Sequence, residues 1–268
     1  FRGAGSKVTV LETAPDILHG EDQDVTAELL KIMKRQGIGF KLSAASKEIT
    51  PSNGGLTLAY HDGKKVASLT AQTVLMATGR KPRSNLALPF RLSDGAIAVD
   101  NQMETSIKGI YAAGDVIGGR LLAHLAYAEG RVAAENALGH KSAVNYNSVP
   151  SCVYTTPEAA TVGLNEVQAA QQGIPIRVGK SNFRANGRAL TLGEREGFVK
   201  IVADNDGTII GAQILGSGAS ELISELTLAV TLKANAAVLA DMIHPHPGLS
   251  EVVWEACGDV LGRSLHGI

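Results

Sequence analysis

The chain has 268 residues, with 25 basic against 26 acidic side chains and 44% hydrophobic residues. Charge this balanced, without a Lys/Arg block, offers no electrostatic footprint for a nucleic-acid backbone. The longest apolar stretches, such as residues 226–232, fall well short of the ~20 residues a membrane-spanning helix needs. The length suggests about two domains at the usual ~100–200 residues each, in an ordinary globular protein expected in the cytoplasm.

The chain opens FRGAGSKVTVLE, with no initiating Met and no apolar signal region. It runs straight into a strand, and the expectation is that a preceding segment is missing. Residues 7–11 (KVTVL) suit a buried parallel strand, ended by Glu12. Residues 22–36 place Leu29, Leu30, Ile32 and Met33 at helical spacing, and Gly37 stops the helix. Residues 56–60 and 65–69 form a hairpin signalled by Asp62-Gly63. Residues 73–77 (TVLMA) predict a second buried strand running into TGRKP. After a loop-rich stretch with a hairpin fragment (DGAIAVD), residues 109–113 predict a strand entering GDV, and residues 121–138 an alanine-rich helix.

A proline-containing connection near residue 147 marks a change of domain. Beyond it, strands at 176–180, 198–203 and 209–215 precede helices at 221–232 and 250–261. Strands followed by helices indicate an α+β domain.

Four stretches could carry chemistry. Glu12 ends a strand, where an acid can accept from the ribose hydroxyls of a dinucleotide, or can simply be solvated. Gly79, in ATGRKP, lets the backbone approach a ligand, or merely turns the chain. Asp115, in YAAGDV, can hold a chain of hydroxyls or cap the helix starting near Gly119. Last comes HPHPGLSE, residues 244–251. His244 and His246 could be metal ligands, but the prolines disfavour a regular strand and no third ligand beyond Glu251 is apparent. The alternatives are a stiff loop with a cis His-Pro bond, or a base, His246, oriented by Glu251. The only cysteines, Cys152 and Cys257, fit no paired spacing and suit buried hydrophobes better than a disulfide.

The order KVTVLE, ATGRKP, YAAGDV with LLAHLAYAEG, VYTTPEAATVGLNE, FRANGRAL, HPHPGLSE resembles the FAD-dependent pyridine nucleotide–disulfide oxidoreductases, over essentially the whole chain. The His-Pro-His-Pro block is most similar to the dihydrolipoamide dehydrogenase branch. The resemblance implies an incomplete α/β, doubly wound Rossmann-like portion followed by an α+β dimerisation domain with an antiparallel sheet. Residues 1–79 would be a partial NAD-binding domain, 80–146 the end of the FAD-binding domain and 147–268 the interface domain. Glu12 and Gly79 would touch NAD, Asp115 the FAD ribityl chain, and the backbone at Leu122 and Ala123 the flavin. His246 would be the catalytic base, held by Glu251 and serving the other subunit of a homodimer. A lipoyl domain of a 2-oxoacid dehydrogenase or glycine cleavage complex would be the partner, with no nucleic acid, membrane or metal involved.

Two departures stand out. The family commonly has Thr where this chain has Gly248, so a capping box with Glu251 is lost; a small cost and a carboxylate freer to face His246 are expected. The family's redox-active cysteine pair and its FAD and NAD glycine turns would all precede Phe1. The chain by itself is therefore expected to be inactive. The alternatives are a stand-alone dimerisation or nucleotide-binding module, or another flavoprotein disulfide reductase.

Overall fold

A computed structural model describes residues 1–266. In chain order the elements are β1 (Thr9–Leu11), α1 (Gln23–Arg35), β2 (Gly39–Lys41), β3 (Ala45–Ser52), β4 (Gly55–His61) and β5 (Val66–Ala71). Then come β6 (Leu92–Ser93), β7 (Ala96–Ile97), a 3-10 turn (Gly114–Ile117) and α2 (Ala123–Ala137). The remainder comprises β8 (Ser151–Val153), β9 (Glu158–Gly163), α3 (Glu166–Gln171), β10 (Ile176–Asn182), α4 (Gly187–Leu192), β11 (Phe198–Asp204) and β12 (Ile209–Gly216). Three helices follow: α5 (Ala219–Leu232), α6 (Ala236–Asp241) and α7 (Glu251–Val260). The chain divides into two compact units, Phe1–Leu75 with the residues from Pro150 onward, and Met76–Val149.

The first unit is organised by an antiparallel sheet of order β10-β11-β12-β9-β8. Along β11, Val199, Ile201 and Ala203 join one buried cluster with Ile223 and Leu226 of α5 and Val253 and Ala256 of α7. Phe198, paired with Leu215 of β12, belongs to a second cluster with Val25, Leu29 and Ile32 of α1. Side chains alternate across a strand, so this sheet is covered on both faces, and β11 and β12 are accordingly apolar almost throughout. Helix α1 is set by its ends: the Asp22 carboxylate accepts from the Asp24 and Val25 N–H groups, and Lys34 and Arg35 occupy the last turn. The same unit carries the parallel pair β1–β2 and the antiparallel meander β3-β4-β5.

Lys200 interrupts the apolar run of β11 on the α1 side. Its Nζ lies 2.7 Å from Asp22, 2.8 Å from Glu166 and 3.3 Å from Asp24. The Lys200 and Asp22 side chains are only 3% and 4% exposed. Burial pulls the ammonium pKa down, but the bonds to Asp22 and Glu166 and the charges of Asp22 and Asp24 outweigh it, leaving it raised.

Three sequence expectations are corrected. Residues 73–77 are not a strand, and Leu75 and Met76 are exposed. A buried strand needs ladder partners for its N–H and C=O groups, and the parallel sheet consists of β1 and β2 alone among the described residues. Residues 109–113 likewise form no strand, only an isolated bridge between Glu104 and Tyr111. Asp115 does not cap α2: it lies inside the 3-10 turn, and Leu122 occupies the cap position. The alanine-rich helix is present, burying Leu125, Glu129, Val132 and Asn136 along one stripe.

Lys200→Met leaves the buried Asp22 carboxylate without its cation. Urea unfolding of this variant should show a loss of roughly 3–5 kcal/mol, the usual consequence of breaking a buried pair; a loss below ~1 kcal/mol would show that the cluster does not hold α1 to the sheet.

Candidate functional site

The loop between α6 and α7 places its two histidines in opposite environments. The His244 side chain is 3% exposed, with Nε2 3.0 Å from Glu225 Oε1 on α5 and Nδ1 3.2 Å from the Met242 carbonyl oxygen. The His246 side chain is 78% exposed, with Nδ1 2.9 Å from Glu251 Oε1. Sequence spacing alone does not separate them; the packing assigns one to an anchor and the other to the surface. Glu225 was not anticipated, because its helical position has no pattern linking it to a loop 19 residues on.

Glu251, the first residue of α7, uses both oxygens. Oε1 faces His246, and Oε2 accepts the Gly248 N–H at 2.9 Å. Partial burial pushes its pKa up, but the Gly248 N–H, the His246 bond and the charges of His246 and His244 outweigh this and hold it lowered. An ionised carboxylate only accepts, so His246 donates through Nδ1 and its neutral ring carries the lone pair on Nε2. That is the arrangement of a general base with an orienting acid.

The rest of the loop is tied down by its backbone. Asn186 Nδ2 donates to the Gly248 carbonyl at 2.9 Å and Trp254 Nε1 to the Ala240 carbonyl at 2.7 Å. The His246–Pro247 bond is cis. A Cβ at Gly248 would lie 2.6 Å from the Pro245 carbonyl oxygen, so the loop in this shape has no room for the family's Thr. The expectation of a freer carboxylate is corrected: Ser250, not Gly248, occupies the cap position of α7, and the Gly248 N–H still holds Glu251 Oε2 while Oε1 faces His246. Among the described residues no group of three or more His, Cys, Asp and Glu side chains gathers as metal ligands.

Neither thiol resembles a redox centre. Burial, followed by the Glu225 charge, pushes the Cys257 thiol up to about 12. Burial and the charges of Glu158 and Glu221 raise that of Cys152. Thiolate nucleophiles need the opposite shift.

Glu12 follows β1, and its Oε1 accepts the Ala14 N–H at 2.8 Å and the Thr13 hydroxyl at 3.1 Å. The Ala14 bond is the largest cause of its lowered pKa, which keeps it an acceptor suited to ribose hydroxyls. Gly79 belongs to the other unit, with φ +93° and nothing within 4 Å of where a Cβ would stand. Its glycine therefore answers to backbone conformation, and its face is left open.

Asp115, Leu122 and Ala123 lie together in the second unit. The Asp115 carboxylate is 41% exposed and pairs with Arg80 at 2.8 Å. Helix α2 starts at Ala123 with no side chain capping it, leaving a helix N-terminus of the kind that accommodates electron-rich groups. A cavity of about 840 Å³ borders the same turn through Ile117, Gly118 and Gly119. An acid at the turn, a Gly119 with nothing within 4 Å of where a Cβ would stand, and an uncapped helix start fit a flavin nucleotide. Sequence reasoning missed Glu129, buried beneath this turn, because a mid-helix glutamate ordinarily faces solvent.

Comparison with known proteins agrees with this geometry. The pyridine nucleotide–disulphide oxidoreductase family model matches residues 1–130, and the dimerisation-domain model of the same family matches residues 149–257. The dihydrolipoyl dehydrogenases of Staphylococcus aureus and Geobacillus stearothermophilus are 40% and 41% identical over an alignment of 272 positions that covers 99% of this chain. The chain spans 58% of the length of these curated relatives. Among solved structures, LpdA from Mycobacterium tuberculosis matches with a TM-score of 0.88 and 30% identity, covering 96% of this chain and 57% of that one. The HOCl-induced flavoprotein disulfide reductase RclA from Escherichia coli matches with a TM-score of 0.85 and 28% identity, covering 96% of this chain and 60% of that one. The chain belongs to the pyridine nucleotide–disulphide oxidoreductases, a family of FAD- and NAD-using enzymes, and corresponds to a C-terminal portion of its dihydrolipoyl dehydrogenase relatives.

Proposed function

We propose that this chain is the part of a dihydrolipoyl dehydrogenase that carries the catalytic base and the subunit interface. The observation that carries this reading is the His246–Glu251 pair, 2.9 Å apart on an exposed loop of the dimerisation domain. In it, His246 Nε2 takes a proton from the dihydrolipoyl dithiol or its cysteine partner, while Glu251 keeps Nδ1–H in place. FAD and NAD, when bound, would supply the redox chemistry that accepts the electrons of the dithiol. Asp115 holds the ribityl hydroxyls, and the backbone at Leu122 and Ala123 faces the flavin edge. Glu12 and Gly79 touch NAD. The division into residues 1–79, 80–146 and 147–268 follows from these roles, as does lack of turnover by the chain alone, since neither buried Cys257 nor half-buried Cys152 suits a redox pair.

The partner surface is read from apolar exposure. On α5, Leu228 and Leu232 stand 59% and 68% exposed, one turn apart and off the buried stripe. Val238 and Ile243 continue the exposed series at 61% and 95%. Apolar patches of this kind mark association, and in this family the occupant is a second copy, to whose active site the loop offers His246. The substrate is then the lipoyl group of a 2-oxoacid dehydrogenase or glycine cleavage complex. A different flavoprotein disulfide reductase is the second reading, favoured by the likeness to RclA.

In the complete enzyme, His246→Gln should lower dihydrolipoamide-dependent NAD reduction by ~10²–10⁴-fold while the flavin absorbance is retained. Unchanged turnover would remove His246 as the base, and full activity on another disulfide with none on dihydrolipoamide would favour the second reading. Leu232→Asp should shift the dimer towards monomer in analytical ultracentrifugation; an unshifted dimer would place the interface elsewhere.

The pH dependence follows from Glu251. Its pKa is lowered by folding, so its contribution is complete above the ordinary carboxylate range and is lost as pH falls through the folded value. Amide protection at Gly248, measured by exchange at a series of acid pH values, should fall in that window and be weak at every pH in Glu251→Ala. Protection independent of both would show that the carboxylate does not hold the loop.

A further inference from the structure

The helix that follows the Asp115 turn carries a glutamate to which no role has yet been given. Glu129 is 3% exposed, and each carboxylate oxygen has one donor. Oε2 accepts the Gly114 N–H at 2.8 Å, and Oε1 accepts the Tyr146 hydroxyl at 3.0 Å. Gly114 directly precedes Asp115, with φ +77°, and a Cβ added to it would lie 3.3 Å from Ala126 Cβ. Ala126 and Glu129 are three residues apart on α2 and share a face, so the helix grips the turn at two neighbouring points, one by contact and one by hydrogen bond. A buried carboxylate costs free energy unless its oxygens are bonded. Both bonds here come from outside the helix, one from the turn and one from residue 146, which lies in the short 3-10 piece Tyr146–Ser148.

We infer that Glu129 is a positioning residue: with Tyr146 behind it, its carboxylate fixes the Gly114 N–H and thereby the direction in which Asp115 is presented. Arg80 already pairs with the Asp115 carboxylate, so Glu129 acts on the backbone of the turn and not on the acid. The inference rests on the reading of Asp115 as the holder of ribityl hydroxyls, but the hold itself concerns this chain's own atoms and can be measured without cofactor.

The first measurement is amide exchange at Gly114 in the 268-residue chain. Glu129→Leu should accelerate it about tenfold or more, as loss of a buried acceptor would. Glu129→Gln, which keeps an acceptor oxygen, should retain most of the protection, and Asp115→Asn all of it. The second is ultraviolet titration of Tyr146, assigned by Tyr146→Phe. Its phenol is pushed up to about 12 by burial and then by Glu129, so Glu129→Gln should bring it part of the way down. Unchanged Gly114 exchange in a folded Glu129→Leu overturns the inference. Should Glu129→Leu unfold the unit, an unmoved Tyr146 titration in Glu129→Gln overturns it instead. FAD titration of the complete apoenzyme tests the underlying reading separately. An Asp115→Asn variant that binds FAD as wild type refutes the role of Asp115, while Gly114 exchange still decides the role of Glu129.

Discussion

A buried ammonium must be surrounded by anions, and that requirement at Lys200 organises the first unit. Its three acidic partners come from two places in the chain: Asp22 and Asp24 at the start of α1, and Glu166 at the start of α3. Asp22 simultaneously caps α1, so one carboxylate satisfies both a helix end and the lysine on the sheet. Around this polar point, Phe198 and Leu215 pack with Val25, Leu29 and Ile32. The apolar contacts supply the burial, and the ion cluster restricts where along the sheet the helix can start. Desolvating the lysine is costly, which is why so many partners converge on it.

The same economy appears in the loop between α6 and α7, where a single carboxylate again does two jobs. Glu251 orients His246 and accepts the Gly248 N–H, coupling the pose of the imidazole to the backbone that carries it. The His244 side chain is buried against Glu225 on α5, and on the same side of that helix, one and two turns further on, Leu228 and Leu232 stand exposed. The loop is thus braced on the helix whose exposed leucines the proposed second subunit would cover. That connection gives a physical reason for a loop next to the proposed interface to have so many fixed points. Beneath the Asp115 turn, Glu129 repeats the scheme, with one oxygen for the backbone and one for a tyrosine.

Much of this was legible in the sequence. The strands β10, β11 and β12 and the helices α1, α2, α5 and α7 follow from apolar periodicity and from caps such as Asp22, because each buries a regular face. The order of short motifs was enough for the family, and HPHPGLSE was enough to expect Glu251 beside His246, where the structure has it. The failures share one cause. Residues 73–77 have the composition of a buried strand, but a strand exists only where another chain segment completes its ladder. Residues 109–113 fail for the same reason, while β3, ASKEITPS, is largely exposed and polar, and is a strand only because β4 pairs with it.

The sequence by itself determined the periodic elements, the family and the residue types of the site, since these depend on local spacing and side-chain chemistry. Only the tertiary structure decided which histidine side chain is buried and which exposed, that Gly248 has no room for a Cβ, that Lys200 and Glu129 are interior charges with partners, and that half-buried Glu225 meets His244. Those outcomes depend on which distant residue arrives opposite a given side chain. Burial and pairing are properties of that meeting, and no single residue carries them alone.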